Sequence, residues 1–232
     1  MHADGPSYQV ASKMLQGASK TSAPRLLLTG ASSGIGREMA IALSSQYRII
    51  LNGRDLGRLE ETRLACCEPD DHCAGLLSVL PLRRSTLAHT QQLMNVNLFS
   101  AMEIIRSLTR KNVNKKLLRS IIFISSIAAQ FGAKGFSAYS ASKAALDALM
   151  KSLAVELAPE VRVNSVLPGA ICTPMTISMF EQPDSAARLL RDYPLGVGFP
   201  SDVLNVVEFL LSEKARWITG QQFVVDGGRT SN

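Results

Sequence analysis

The chain has 232 residues, 46% of them hydrophobic and 19% charged, enough to bury one large core, so a single globular domain is expected. Its net charge of +6 does not imply nucleic acid, because the densest basic groups, Arg110-Lys111 and Lys115-Lys116-Arg119, lack the interleaved aromatics that stack on bases. Cys66, Cys67, Cys73 and Cys172 show no paired C-x-x-C spacing and His2, His72 and His89 no metal-ligand spacing, while the longest apolar runs, 121–124 and 206–211, are too short to cross a bilayer. Free thiols, no metal, no membrane partner and, with no apolar stretch of a secretory signal, a cytoplasmic location are the expectations.

Residues 1–24 read as a flexible leader, rich in Ser, Ala, Gly and Lys and without a sustained period, and 25–232 as the domain. The first apolar strand, Arg25–Thr29, runs into Gly30-Ala-Ser-Ser-Gly34-Ile35-Gly36 and then a helical pattern over 37–44. Glycines there allow a tight turn and let the backbone approach a pyrophosphate, whose charge sits on the N–H groups of the helix start. The spacing T-G-x-x-x-G-x-G is weak alone, since ordinary turns collect glycine; strand, turn and helix in that order give it weight. A strand at Arg48–Asn52, a helix at Leu56–Ala65, a long helix over 91–109 and a strand over 121–125 follow. Then come a helix over 138–157, a strand over 162–167, a loop with helical patches over 175–191, a helix over 203–211 and a last strand over 223–225. Such alternation specifies an α/β fold, a Rossmann-type doubly wound parallel sheet with helices on both faces, whose right-handed crossovers bring the strand ends and their motifs to one edge.

In the helix over 138–157, Ala145, Leu146, Leu149, Leu153 and Leu157 recur at core spacing, and Ala141, Ala144 and Ala148 form a small-residue stripe compatible with close helix approach or with plain packing on the sheet. The helix opens on Tyr139-Ser140-Ala141-Ser142-Lys143, which places Lys143 one turn beyond Tyr139 on the same face, within reach of the phenol. A phenol of pKa about 10 is a poor proton donor at neutral pH, and a neighbouring cation lowers that value. Ser126, at the end of the preceding apolar run, can hold a carbonyl oxygen beside it.

With TGASSGIG at 29–36, NVNL at 95–98, ISS at 124–126, YSASK at 139–143, PGAICT at 168–173 and ITGQQFVVDGG at 218–228, the chain resembles a short-chain dehydrogenase/reductase, nearest the 3-oxoacyl-carrier-protein reductase branch. The resemblance implies a nicotinamide dinucleotide and a small-molecule carbonyl or alcohol substrate, carrier-linked or free. It implies that Tyr139 is the proton donor, that Lys143 tunes it and binds the nicotinamide ribose, that Ser126 orients the carbonyl and that Asn97 supports a proton-relay water. By the same likeness Gly30, Ser32, Ser33, Gly34, Ile35, Gly36 and Arg37 would hold the phosphates, Pro168, Gly169, Ile171 and Thr173 would surround the nicotinamide, and a homodimer or homotetramer would form on the two long helices.

Cofactor choice falls on the end of the second strand, where an acidic residue accepts from a ribose 2′-hydroxyl and an arginine pairs with a 2′-phosphate. Arg54 precedes Asp55 here, with Arg37 as a second cation, so NADP(H) is favoured over NAD(H); the bland alternative makes Arg54 a solvated loop residue and Asp55 a helix cap. The chain departs from the family between Cys66 and Leu80. The family has there a third strand, a helix and a fourth strand ending in N-N-A-G; here only Ala74-Gly75 and Pro81-Leu82 match, so a strand–helix–strand unit of roughly thirty residues is missing near 73–74. A true deletion, residues left out of the sequence, and a replacement strand over 73–80 all remain open. Two functions follow: an NADP(H)-dependent reductase, or a nucleotide-binding relative impaired in catalysis that serves as a sensor or partner subunit.

Overall fold

The computed structural model describes residues 23–231 apart from 54, 67–68, 71–79, 111–112, 114–116, 178–186, 188 and 190. The elements run β1 (Arg25–Thr29), α1 (Gly34–Leu43), β2 (Arg48–Asn52), α2 (Leu56–Ala65), β3 (Pro69–Asp70), α3 (Leu87–Met94), α4 (Ser100–Leu108), β4 (Ser120–Ile124), α5 (Ser137–Glu156), β5 (Arg162–Pro168), α6 (Pro200–Leu211) and β6 (Gln222–Val225). Local chemistry sets several boundaries. The Asp55 side chain accepts from Arg58 N at 3.1 Å and starts α2; Thr86 accepts from His89 N at 3.2 Å and starts α3. Pro200 in the first turn of α6 and the Asp202 carboxylate accepting from Phe199 N start that helix ahead of its apolar pattern.

All strand pairs are parallel. β1 lies beside β2 from Arg25 with Arg48 to Thr29 with Asn52, and β2 beside β3 at Ile49 with Pro69 and Ile50 with Asp70. β5 lies between β4 and β6. A short third strand therefore does exist, at Pro69–Asp70, where the sequence showed only a family strand lost. Among the described residues the sheet comes as two three-stranded halves, β1-β2-β3 and β4-β5-β6, and no strand joins β1 to β4. The replacement strand considered over 73–80, and the Cys73–Ala74 junction, lie outside the described residues but for Leu80, whose N donates to Gly135 O at 2.9 Å.

Two apolar clusters cover the sheet, and the first of them joins its halves. One runs from Leu28, Ile49 and Leu51 through Met39 and Leu43 of α1 to Val203, Val207 and Leu210 of α6 and Val166 of β5, so α1 and α6 cover one face across the division. On the other face, Leu146, Met150 and Leu153 of α5 pack on Phe123, Val163, Leu98 and Ile105. Ala145, Leu149 and Leu157 border that cluster as the periodicity predicts, and Ala141, Ala144 and Ala148 face outward. The buried face of α5 also carries Ser142 and Asp147, polar residues the apolar pattern could not flag.

The long helix expected over 91–109 begins earlier and is interrupted: α3 and α4 are joined by a π-helical turn, Asn95–Phe99, of the kind that widens the helix by one residue and recurs at functional sites. Among the described residues no helix is long and apolar enough to cross a membrane, and Cys66 and Cys172 are free thiols. Leu210, fully buried where α6 bridges the halves, should cost about 2–5 kcal/mol when cut to alanine. Val155→Ala, on the outer face of α5, should change stability by less than about 0.5 kcal/mol, and urea denaturation of both variants checks the contrast.

Candidate active site

The glycine-rich turn leaves the carboxyl end of β1 and enters α1. Gly34 has φ +56, a left-handed conformation, and its bare Cα sits where an added Cβ would touch the Thr173 side chain at 3.4 Å, so this turn and the loop after β5 meet. At Gly36 a Cβ would overlap the carbonyl oxygen of Gly30, which makes glycine obligatory for closing the turn. Ser33 makes no side-chain cap bond and the first turn of α1 holds no acidic residue, so the helix itself supplies nothing that neutralises its positive end. Asn52 Oδ1, buried at the end of β2 without a hydrogen-bond partner, lines the same cleft. An uncapped helix start, a turn tight enough to require glycine and an orphaned acceptor beside it fit the diphosphate and ribose of a dinucleotide.

Tyr139 and Lys143 stand on the first turns of α5. Burial pushes the Tyr139 phenol up, and a hydrogen bond with Ser126 works in the opposite direction. The Lys143 Nζ donates to Ile124 O at 2.8 Å and lies 5.8 Å from the centre of the Tyr139 ring. Burial pulls the Lys143 ammonium down to about 8, against the opposing carboxylate of Asp147. The expectation that Lys143 would lower the phenol is therefore not what dominates here: desolvation acts on both groups, and the ammonium is aimed at the end of β4. Ser126 Oγ accepts from Ala128 N at 3.2 Å, which fixes the hydroxyl at the mouth of β4.

Asn97, buried on the π-helical turn, donates through Nδ2 to Ser142 Oγ at 3.0 Å, and Ser142 in turn donates to Tyr139 O at 2.7 Å. The π-turn is thus tied to the first turn of α5 at the backbone carbonyl of Tyr139. Across the cleft, Gly169 is crowded by the Tyr193 ring and by Asp226, the Tyr193 hydroxyl accepts from Ala170 N at 3.1 Å, and Ile171 bridges to Gly198.

One cleft of about 1840 Å³ gathers Gly30, Ser32, Ser33, Gly34, Ile35 and Gly36 with Asn97, Ser126, Tyr139 and Lys143 and with Pro168, Gly169, Ile171 and Thr173; Asp55 lines it too. The same cleft runs between β1 and β4, along Leu26, Leu27, Leu28, Ile121 and Ile122. Arg37 is not brought to it: its Nη1 lies 3.4 Å from Glu38 Oε1. Asp55 caps α2 while lining the cleft, so the capping role weighed for it is real, and Arg54 lies outside the described residues. Sequence patterns missed Phe131, Tyr193 and Arg229. The Arg229 guanidinium lies 4.3 Å over the Phe131 ring and its Nη2 3.3 Å from Asp192 Oδ2, closing one end of the cleft; no local spacing relates positions so far apart.

Gly36→Ala should weaken dinucleotide binding about tenfold or more, because relieving the overlap moves the Gly30 carbonyl by more than a soft side chain would require. Gly132→Ala, whose added Cβ meets nothing within 4 Å, should bind as the parent does, and fluorescence titration with NADPH checks both.

The family model described as enoyl-(acyl carrier protein) reductase matches residues 72–230. A cyclopentanol dehydrogenase of Comamonas sp. (strain NCIMB 9872) is 38% identical over 161 residues, 68% of this chain, and the match spans only 64% of that protein. An L-xylulose reductase of Caenorhabditis elegans is 31% identical over 241 residues, covering 90% of this chain and 96% of its own. A solved glucose/ribitol dehydrogenase-type protein from Brucella melitensis superimposes with a TM-score of 0.82 at 26% identity, over 89% of this chain and 96% of that one. With the glycine-rich turn, the Ser126/Tyr139/Lys143 cluster and these matches together, the chain belongs to the short-chain dehydrogenase/reductase family of NAD(P)-dependent oxidoreductases.

Proposed function

We propose that this protein is an NADP(H)-dependent oxidoreductase that interconverts a small-molecule ketone and its secondary alcohol, with Tyr139 as general acid in reduction and general base in oxidation. The observation that carries this reading is the joining, in one cleft, of the Tyr139–Ser126–Lys143 cluster and the uncapped start of α1. When bound, the dinucleotide supplies the hydride. Ser126 Oγ donates a hydrogen bond to the carbonyl oxygen and, with the phenol, fixes its position. As the carbonyl carbon accepts the hydride, negative charge grows on the oxygen and Tyr139 Oη gives up its proton there, leaving a phenolate that Lys143 stabilises and a neutral alcohol. A proton from solvent then restores the phenol, and Asn97, held on its π-turn by Ser142, supports that relay. Burial keeps Tyr139 protonated at neutral pH, as an acid must be before the step.

NADP(H) is assigned on Arg54 after β2, with Arg58 lining the cleft nearby; Arg37 is committed to Glu38 and adds little. The names of the relatives support a small alcohol or ketone as substrate. Lys134, exposed where it lines the cleft, is the cation a carrier-linked phosphate would meet. Exposed Phe99 and Met102 beside α4 and Val155 on α5 support a homodimer or homotetramer built on these helices. One observation favours the second reading, a nucleotide-binding relative with impaired turnover: among the described residues no strand joins β1 to β4, between which the cleft runs.

Tyr139→Phe removes only the proton donor, so NADPH affinity should stay within a few-fold while ketone reduction falls about 10²-fold or more; near-normal turnover would rule out the assignment. Arg54→Ala should weaken NADPH by about 1.5–3 kcal/mol and leave NADH nearly unchanged in parallel titrations, and equal losses would mean that Arg54 does not read the 2′-phosphate.

A further inference from the structure

Asp147 is a buried carboxylate that the proposed chemistry does not use. It sits four residues after Lys143 on α5, hence one turn further on the same face, and is only 4% exposed. Neither Oδ1 nor Oδ2 has a hydrogen-bond partner in the structure. An isolated buried carboxylate is costly, by several kcal/mol after relaxation, unless a buried cation compensates it. The elements packed on α5 offer few candidates. β4, the Asn95–Phe99 turn and the Ile127–Ala129 turn carry no charged side chain; α4 carries Glu103 and Arg106, which are exposed and paired with each other; α3 carries His89, whose Nδ1 is hydrogen-bonded to Ser85 Oγ at 3.0 Å; β5 carries Arg162, which alternates to the face opposite Val163, the residue packed on α5. On α5 itself, Lys151 and Glu156 are exposed. That leaves Lys143, partly buried on the same face, whose ammonium the Asp147 charge favours.

We propose that Asp147 is the internal counter-charge of Lys143, a positioning residue that keeps the ammonium charged beneath the phenol and so sets the upper pH limit of the reaction. The proposal rests on the reductase reading for its catalytic consequence, but not for its physical core. Lys143 titrates near 8 in the folded chain and at 10.5 ordinarily, so between those values the unfolded chain binds the extra proton and stability rises with pH. Tyr139, pushed up by burial, acts in the opposite sense above pH 10, which leaves pH 8–10 as the clean window. Without the carboxylate, Lys143 must lose its proton at lower pH still.

The test is unfolding free energy against pH for the parent, D147N, D147E, K143M and the D147N/K143M double variant, with the kcat/KM profile for NADPH-linked reduction of cyclopentanone beside it. The rise should begin about one pH unit lower in D147N, stay near its parental position in D147E and vanish in K143M. The alkaline limb of kcat/KM should move down with it in D147N. If D147N is too unstable to measure, the double variant should fold better than D147N alone, because the charge it leaves uncompensated is gone. A D147N profile that superimposes on the parent's, a rise that survives K143M, a uniform loss of kcat/KM at all pH values, or a double variant no better folded than D147N would each overturn the proposal. A parent that folds and shows the rise but reduces no ketone would sink the reductase reading alone, and the stability profile would still decide Asp147.

Discussion

The site depends on a cation forced into an apolar helix–sheet interface. Lys143 Nζ donates to the carbonyl of Ile124, the last residue of β4, and that bond fixes the start of α5 against the end of the strand that leads to Ser126. Burial makes the ammonium expensive, so its compensation must be local: a backbone carbonyl at hydrogen-bond distance and a carboxylate one turn away. Tyr139, one turn toward the helix start, inherits the geometry. The phenol is held by Ser126 and the Tyr139 backbone carbonyl by the Asn97–Ser142 link, and both holds require α5 to stay where Lys143 pins it.

The glycine-rich turn is positioned independently, from the other half-sheet. What registers one half to the other, among the described residues, is the apolar layer of α1 and α6 and not strand pairing between β1 and β4. The contact of Gly34 with Thr173 adds a second link at the level of the cleft. Parallel sheets are ordinarily continuous and covered on both faces, and among the described residues it is helix packing that holds the two halves of the site at their distance.

Motifs with fixed spacing were legible in the chain because their chemistry is local. Tyr139 and Lys143 fall one helical turn apart, and Gly30, Gly34 and Gly36 serve one turn whose backbone demands glycine. The strands and helices with strong apolar periods appeared with errors of a few residues at their ends, where caps such as Thr86 and Asp202 decide. Asp147 stayed hidden since a charged residue breaks the apolar pattern that marks a buried face, and the Arg229–Phe131 stacking since it joins segments distant in sequence. β3 escaped because two residues carry no period at all.

Transfer of label decides between a working oxidoreductase and a nucleotide-binding relative more directly than any rate. The protein, in stoichiometric excess over (4-²H)NADPH of each face configuration in turn, is mixed with a panel of small ketones, and any alcohol formed is weighed by mass spectrometry. One of the two labelled cofactors should deliver a single deuterium to the carbinol carbon in one turnover. Tight NADPH binding with no labelled alcohol from either would contradict the account that this cleft is a working oxidoreductase site.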